Sequence, residues 1–121
     1  MAFIYNVTFD AREPRRLGRF WSEVTGYAVT DERDDFVRLR APDGRGVRHI
    51  LFFRVDDPTP GKNRTHVDLA SRDADEEIPR LVALGATLVD AGSPQAPTWR
   101  EGNGARWVAM RDPEGNEFCL G

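Results

Sequence analysis

The chain has 121 residues, 40% of them hydrophobic, and this length and composition fit one domain with its own core. Its formal net charge of −3 at pH 7 argues against a nucleic-acid or acidic-membrane partner, because neither attracts a mildly acidic surface. Because Cys119 is the single cysteine, the chain cannot form an internal disulfide. No apolar run approaches the ~20 residues of a membrane span, and we expect a cytoplasmic protein.

The first half begins with the alternating segment Phe3–Phe9, typical of a half-buried strand with Asn6 and Thr8 on one face. An amphipathic helix is predicted from Glu13, and Gly26 suits its C-terminal cap. The apolar residues at helical spacing are Leu17, Phe20, Trp21 and Val24. Three further strands are predicted at Tyr27–Thr30, Phe36–Arg40 and His49–Val55.

The second half repeats this order after a connector, Pro58–Arg64. A strand is predicted at Thr65–Ser71 and a helix at Asp73–Leu84, with Gly85 as its cap. Pro79 removes a backbone hydrogen bond at a cost of ~3 kcal/mol, so we expect this helix to be kinked or to begin late. The remaining strands are predicted at Ala86–Val89, Thr98–Glu101, Ala105–Arg111 and Asn116–Leu120. Turns are predicted at Gly102–Gly104 and Asp112–Gly115.

The two halves correspond at a fixed spacing. Asn6 and His66, like Gly26 and Gly85, lie about 60 residues apart. A repeat of this length contains a whole βαβββ unit. We therefore expect one domain over residues 1–121, built from a first module of about 1–57 and a second of about 63–121.

Four segments resemble signatures of glyoxalase-like proteins in the vicinal-oxygen-chelate superfamily, which includes glyoxalases, bleomycin resistance proteins and extradiol dioxygenases. They are Phe20–Tyr27, Lys62–Leu69, Leu84–Ala86 and Asp112–Cys119. The resemblance covers essentially the whole chain. It implies an α+β fold in which two tandem βαβββ modules form a curved mixed-sheet cup, and it implies a homodimer. It leaves open whether the protein is an enzyme, because the superfamily includes both catalysts and drug-sequestering proteins.

In that fold, the strand faces turned away from the helices line the cup. Alternation along the strands then predicts which polar side chains point into it: Asn6, Thr8, His66, Asp68, Glu117 and Cys119. His66 and Glu117 are the candidate catalytic residues, because imidazole titrates near neutral pH and a buried carboxylate is costly unless it is used or paired. Trp107 is a candidate stacking surface for a flat ligand.

Each of these residues also has a structural interpretation. His66 can form a hydrogen bond with Asp68, Asn6 or the backbone, and Glu117 can form an ion pair with a nearby arginine. Cys119 can serve as a small buried hydrophobe, which is the commoner role of a lone cysteine. Trp107 can serve core packing.

Metal-using members of the superfamily place one ligand on the first and last strand of each module. The matching positions here are Asn6, Leu51 or Phe53, His66, and Cys119 with Glu117 nearby. Only His66 is a standard ligand, so we expect no standard four-ligand site and no obligatory cofactor. An unorthodox Ni, Zn or Fe site would use His66 and Glu117, with Asp68 as a further donor.

Three functional hypotheses follow from the resemblance. The first is a glyoxalase- or bleomycin-resistance-like protein that binds a small organic molecule in the cup. The second is a metal-dependent lyase or isomerase, similar to lactoylglutathione lyase, or a dioxygenase-type enzyme. The third is a dimerising structural module whose cup is filled.

Overall fold

The computed structural model describes residues 1, 4–43, 46–61, 63–90, 92–102 and 104–121. Within them the chain forms two compact units, Met1–Pro60 and Gly61–Gly121, each with a helix and a mixed β-sheet. The elements in chain order are β1 (Asn6–Ala11), α1 (Pro14–Thr25), β2 (Ala28–Glu32), β3 (Phe36–Arg40), β4 (His49–Arg54), β5 (Val67–Leu69), α2 (Ala74–Leu84), β6 (Thr87–Leu88), β7 (Arg100–Gly102), β8 (Ala105–Arg111) and β9 (Glu117–Leu120). The predicted α+β class is confirmed.

The sheet of the first unit has the strand order β1-β4-β3-β2, in which β1 and β4 are parallel and the other neighbours are antiparallel. Helix α1 packs against β3 and β4. The Phe9 ring stacks on Phe52 with 5.3 Å between centroids and lies 5.5 Å from Trp21. Because successive side chains of a strand point to opposite faces, Asn6 and Thr8 lie on the face that the helix does not cover.

The spacing of apolar residues in α1 correctly predicted its buried side. Leu17, Phe20 and Trp21 are buried. The helix ends at Thr25 because Gly26 adopts the left-handed conformation, with φ of 76°, and donates its N–H to a carbonyl of the last turn.

Gly18 lets α1 approach the sheet closely. A Cβ atom at this position would lie 2.6 Å from Cγ1 and 3.2 Å from Cβ of Val37. Both atoms belong to a β-branched side chain that is itself buried. The helix therefore rests on the sheet at a distance that only glycine permits.

Gly18→Ala should destabilise the protein even though alanine favours helices. Overpacking costs about 1–3 kcal/mol, whereas alanine in a helix interior gains only ~1 kcal/mol over glycine. We expect a net loss on the order of 1 kcal/mol in urea denaturation and a larger loss for Gly18→Val. Arg16→Ala, on the exposed side of the same helix, is the control. A Gly18→Ala variant more stable than the wild type would show that a methyl group fits between α1 and β3.

The sheet of the second unit repeats the strand order of the first as β5-β9-β8-β6, with β5 and β9 parallel. Strands β6 and β7 both pair with β8, at its C-terminal and N-terminal ends respectively. The buried side chains of this unit include Ile78, Leu81, Ala86, Val108, Met110, Phe118 and Leu120. The sequence repeat therefore corresponds to a repeat of topology.

Helix α2 begins at Ala74, so the late start is wrong, while the alternative, a kink at Pro79, stays a prediction. The side chain of Asp73 accepts a hydrogen bond of 3.1 Å from the backbone N–H of Glu76, and this cap fixes the start before Pro79 is reached. Acidic side chains in the first turn add favourable charge at the positive end of the helix dipole. Neither α1 nor α2 is long and apolar enough to cross a lipid bilayer.

The strand ends differ from the predicted ones by a few residues. Strand β1 begins at Asn6, and the predicted start at Phe3 lies outside the described residues. Strand β5 covers Val67–Leu69, the middle of the predicted segment. A hairpin joins β7 and β8 as predicted, although Asn103 of its turn, like Lys62 of the connector, lies outside the described residues.

Candidate functional site

The pairing of β5 with β9 brings two candidate site residues side by side. In this parallel ladder Asp68 is the partner of Cys119, so both side chains leave the sheet on the same face. His66 precedes Asp68 by two residues, and its Nε2 lies 3.1 Å from Oδ1 of Asp68. Phe118 and Leu120 point to the opposite face and are buried. The buried side chains of β9 therefore hold the strand in place, while its polar side chains point to the other face of the sheet.

The same face borders a cavity of about 480 Å³ within the second unit. Its polar lining comes from His66, Asp68, Arg100, Arg106, Glu117 and Cys119. Its apolar lining includes Leu69, Trp107 and Ala109. Five residues proposed from the sequence are thus brought together: His66, Asp68, Trp107, Glu117 and Cys119.

Glu117 is half-buried, and its carboxylate accepts a hydrogen bond of 3.3 Å from Nη2 of Arg111. The two residues are partners in the antiparallel ladder of β8 and β9. This ion pair is one of the two interpretations that the sequence left open. It offsets the cost of placing the carboxylate beside an apolar wall.

Burial raises the pKa of the Cys119 thiol, and the negative charge of Asp68 raises it further, while the positive charge of Arg100 lowers it. A thiol with a raised pKa is protonated near neutral pH. Because the thiolate is the nucleophilic form, this environment argues against Cys119 as an activated nucleophile in the metal-free protein.

Arg100 was missed in the sequence analysis. It lies on β7 opposite Trp107 of β8, and its guanidinium donates a hydrogen bond of 3.0 Å to Asp90. The predicted turn at Gly102–Gly104 sets Arg100 opposite Arg106. The observed pairing of Gly102 with Ala105 shifts this register by one residue and places Arg100 beside Trp107.

Asn6 lies in the first unit and has a partner that the sequence did not reveal. Because β1 and β4 pair in parallel, Asn6 is opposite His49, and Oδ1 of Asn6 lies 3.0 Å from Nδ1 of His49. Burial lowers the pKa of His49, and the positive charges of Arg38, Arg48 and Arg40 lower it further. His49 is therefore held in its neutral form at neutral pH.

Thr8 is exposed on the same strand face as Asn6. That Asn6 and Thr8 share one hollow with the residues of the second unit stays a prediction.

The standard four-ligand metal site of the superfamily does not fit the residues at its four positions. Leu51 and Phe53 carry no donor atom, and the carboxamide oxygen of Asn6 is engaged by His49. A different group lies in the second unit, where the donor atoms of His66, Asp68 and Cys119 all fall within 4.8 Å of one another.

The first unit is a βαβββ module, and the second unit has the same order with one additional strand, β7; in each unit the first and last strands pair in parallel, as in the glyoxalase/bleomycin resistance/dioxygenase fold. A family model described as a glyoxalase-like domain matches residues 6–121. The chain therefore belongs to the glyoxalase-like domain family, as the resemblance implied. No curated protein matches its sequence.

Solved structures share this fold at low sequence identity. A glyoxalase/bleomycin resistance protein/dioxygenase family enzyme from Burkholderia phytofirmans PsJN is 20% identical, with a TM-score of 0.73 over 98% of this chain and 97% of that one. Lactoylglutathione lyase from Agrobacterium tumefaciens is 20% identical, with a TM-score of 0.65 over 100% and 93% of the two chains. The oxidase ChaP-H2 is 17% identical, with a TM-score of 0.60 over 99% and 92%. At these identities the similarity concerns the fold alone.

Proposed function

We propose that the cavity of the second unit binds a small organic molecule, in the manner of a glyoxalase- or bleomycin-resistance-like binding protein. The observation that carries this proposal is the convergence of His66, Asp68, Glu117 and Trp107 on one cavity. Its volume of about 480 Å³ lies within the range of roughly 300–1,000 Å³ typical of small-molecule sites. An apolar wall with a few convergent polar groups is the usual composition of such sites.

Each lining residue has a distinct role in this proposal. Trp107 offers an aromatic surface against which a flat or apolar part of the ligand packs. His66 offers a ring nitrogen that can donate or accept a hydrogen bond, and Asp68, 3.1 Å away, orients the ring. His66 is also the residue best suited to acid–base chemistry, because its neighbour Glu117 is already paired with Arg111.

The test is a thermal-shift screen of metabolites and antibiotics, run with a chelator so that binding is measured without metal. A ligand present at about 100 times its Kd stabilises the folded state by about 2.7 kcal/mol, which is readily detected. We expect at least one compound to raise the Tm. His66→Ala and Trp107→Leu should each weaken its binding by about fivefold or more, since each removes a contact worth about 1 kcal/mol or more.

Trp99→Leu is the matched control for Trp107→Leu. Trp99 is also half-buried but does not line the cavity; its ring packs under the guanidinium of Arg106, with Cζ 3.7 Å from the ring centroid. The control should retain the affinity for the ligand. A library that never raises the Tm, or a ligand that binds equally well to His66→Ala and Trp107→Leu, would rule out this cavity as the binding site.

A metal-dependent lyase, isomerase or dioxygenase-type activity is the second candidate. It is favoured by the cluster of His66, Asp68 and Cys119, and by the similarity in fold to a lactoylglutathione lyase and an oxidase. An activity assay on the same protein preparations distinguishes the two candidates. Turnover of a thiol-conjugated or oxygenated substrate should appear after supplementation with nickel, zinc or iron and disappear on chelation.

A further inference from the structure

Three side chains with different donor atoms converge at one edge of the cavity in the second unit. A ring nitrogen of His66, a carboxylate oxygen of Asp68 and the Sγ atom of Cys119 lie within 4.8 Å of one another. Nε2 of His66 and Oδ1 of Asp68 are 3.1 Å apart. Donors around a tetrahedral ion, bound at about 2.0–2.3 Å, are separated by roughly 3–4 Å. Small side-chain rotations are therefore enough to close the cluster around an ion.

The backbone holds these donors together. Asp68 and Cys119 are paired residues of the β5/β9 ladder, so the distance between their Cα atoms is set by main-chain hydrogen bonds. Phe118 and Leu120 are fully buried on the other face and fix the strand that carries Cys119. The side chains of His66 and Asp68 are 46% and 76% exposed, so both can reorient and both are accessible to an ion from solvent.

The donor set is selective. A thiolate and an imidazole are ligands for borderline and soft ions, whereas Mg²⁺ and Ca²⁺ prefer sites made entirely of oxygen. The thiolate of Cys119 and the carboxylate of Asp68 supply two negative charges, which balance a divalent cation. Three protein ligands leave a fourth tetrahedral position open, as in catalytic rather than structural zinc sites.

We propose that His66, Asp68 and Cys119 form a binding site for a thiophilic divalent cation, Zn²⁺ or Co²⁺, held entirely by the second unit. His66 and Cys119 occupy two of the four positions that match the superfamily pattern, whereas Asp68 lies outside that pattern and the two positions in the first module are not used. The set also differs from the pair His66 and Glu117 expected from the sequence. On binding, a metal–sulfur bond forms, the S–H bond of Cys119 breaks, and its proton passes to solvent. The inference concerns the same cavity as the proposed function but does not depend on ligand binding.

The test uses the full chain, stripped of metal with a chelator and kept reduced, with Co²⁺ and Zn²⁺ as the probes. Co²⁺ should bind at about one ion per chain and produce a sulfur-to-cobalt charge-transfer absorption in the near ultraviolet. Zn²⁺ should displace it, and Mg²⁺ should not. Cys119→Ser should abolish the charge-transfer band, and Cys119→Ser and Asp68→Asn should each lower the affinity for Zn²⁺ by at least about tenfold.

Glu101→Gln is the control for Asp68→Asn, because Glu101 is an exposed carboxylate of the same unit that does not line the cavity. Glu101 lies outside the three-donor cluster, so its variant should keep the charge-transfer band and the affinity for Zn²⁺. Circular dichroism should show that all variants are folded. The proposal is overturned if the wild type binds neither ion, if Co²⁺ binds without the sulfur band, or if Glu101→Gln weakens binding as much as Asp68→Asn. Because Co²⁺ and Zn²⁺ are the only probes in this experiment, a failure to bind them would not decide whether the cavity binds an organic ligand, which the thermal-shift screen tests.

Discussion

Phe118→Ala should lower the free energy of unfolding by about 3–5 kcal/mol, because it removes a fully buried aromatic side chain and leaves a cavity. Phe118 lies at the centre of the second sheet, between Val67 of β5 and Met110 of β8. Total stabilities of about 5–15 kcal/mol are usual for single domains, so this loss is a large part of the whole. Urea denaturation monitored by tryptophan fluorescence measures it.

Phe118 also holds the strand that carries two residues of the candidate site, since Glu117 and Cys119 are its neighbours in β9. We therefore expect Phe118→Ala to weaken metal binding even where the protein remains folded. Phe118→Leu keeps most of the buried apolar volume and should cost much less stability. A change of less than about 1 kcal/mol for Phe118→Ala would show that Phe118 is not part of a tightly packed core.

The helices could be predicted well because their signals are local. The apolar spacing after Glu13 and the glycine at position 26 define α1 within a single segment. For α2 the same reasoning was misled by Pro79, whose cost was given more weight than the cap at Asp73. The cost of Pro79 and the stabilisation by the Asp73 cap oppose each other. The packing of Ile78 and Leu81 in the core adds a further stabilisation that the local sequence does not show.

Strand pairing was less accessible, because it joins residues that are far apart in the chain. The sequence does not show that His49 and Asn6 are partners, yet the parallel pairing of β1 with β4 places Nδ1 of His49 3.0 Å from Oδ1 of Asn6, 43 residues away in the chain. Alternation shows which face a side chain occupies but not which strand lies beside it. The same limit applies to Asp68 and Cys119, whose common face was predicted and whose direct pairing was not.

One pairing in the site was missed by a single residue. The predicted turn at Asp112–Gly115 would set Arg111 opposite Asn116, whereas the loop includes Asn116 and Arg111 pairs with Glu117. The ion pair between Arg111 and Glu117 depends on this register. An error of one residue in the length of a turn therefore changes which charged side chains lie opposite each other.

Asp112→Ala should be the most damaging substitution of a polar residue in the second unit. Asp112 is only 3% exposed, and its Oδ1 accepts hydrogen bonds of 2.9 Å from the backbone N–H groups of both Glu114 and Asn116. The side-chain amide of Asn116 also donates to both carboxylate oxygens, at 3.1 and 2.9 Å. This carboxylate therefore holds the turn between β8 and β9 and, through it, the register of Arg111 with Glu117.

Alanine at position 112 would leave two backbone donors without their acceptor. Each buried donor left unsatisfied costs about 1–3 kcal/mol, and because Glu114 and Asn116 are only partly buried we expect a total loss of about 2–4 kcal/mol. Asp112→Asn is the control, because its carbonyl oxygen can still accept from the same two N–H groups, and it should retain most of the stability. Urea denaturation of both variants separates the two outcomes. Equal stability of Asp112→Ala and Asp112→Asn would mean that the turn is held by Pro113 and Gly115 rather than by the carboxylate, because those residues are unchanged in both variants.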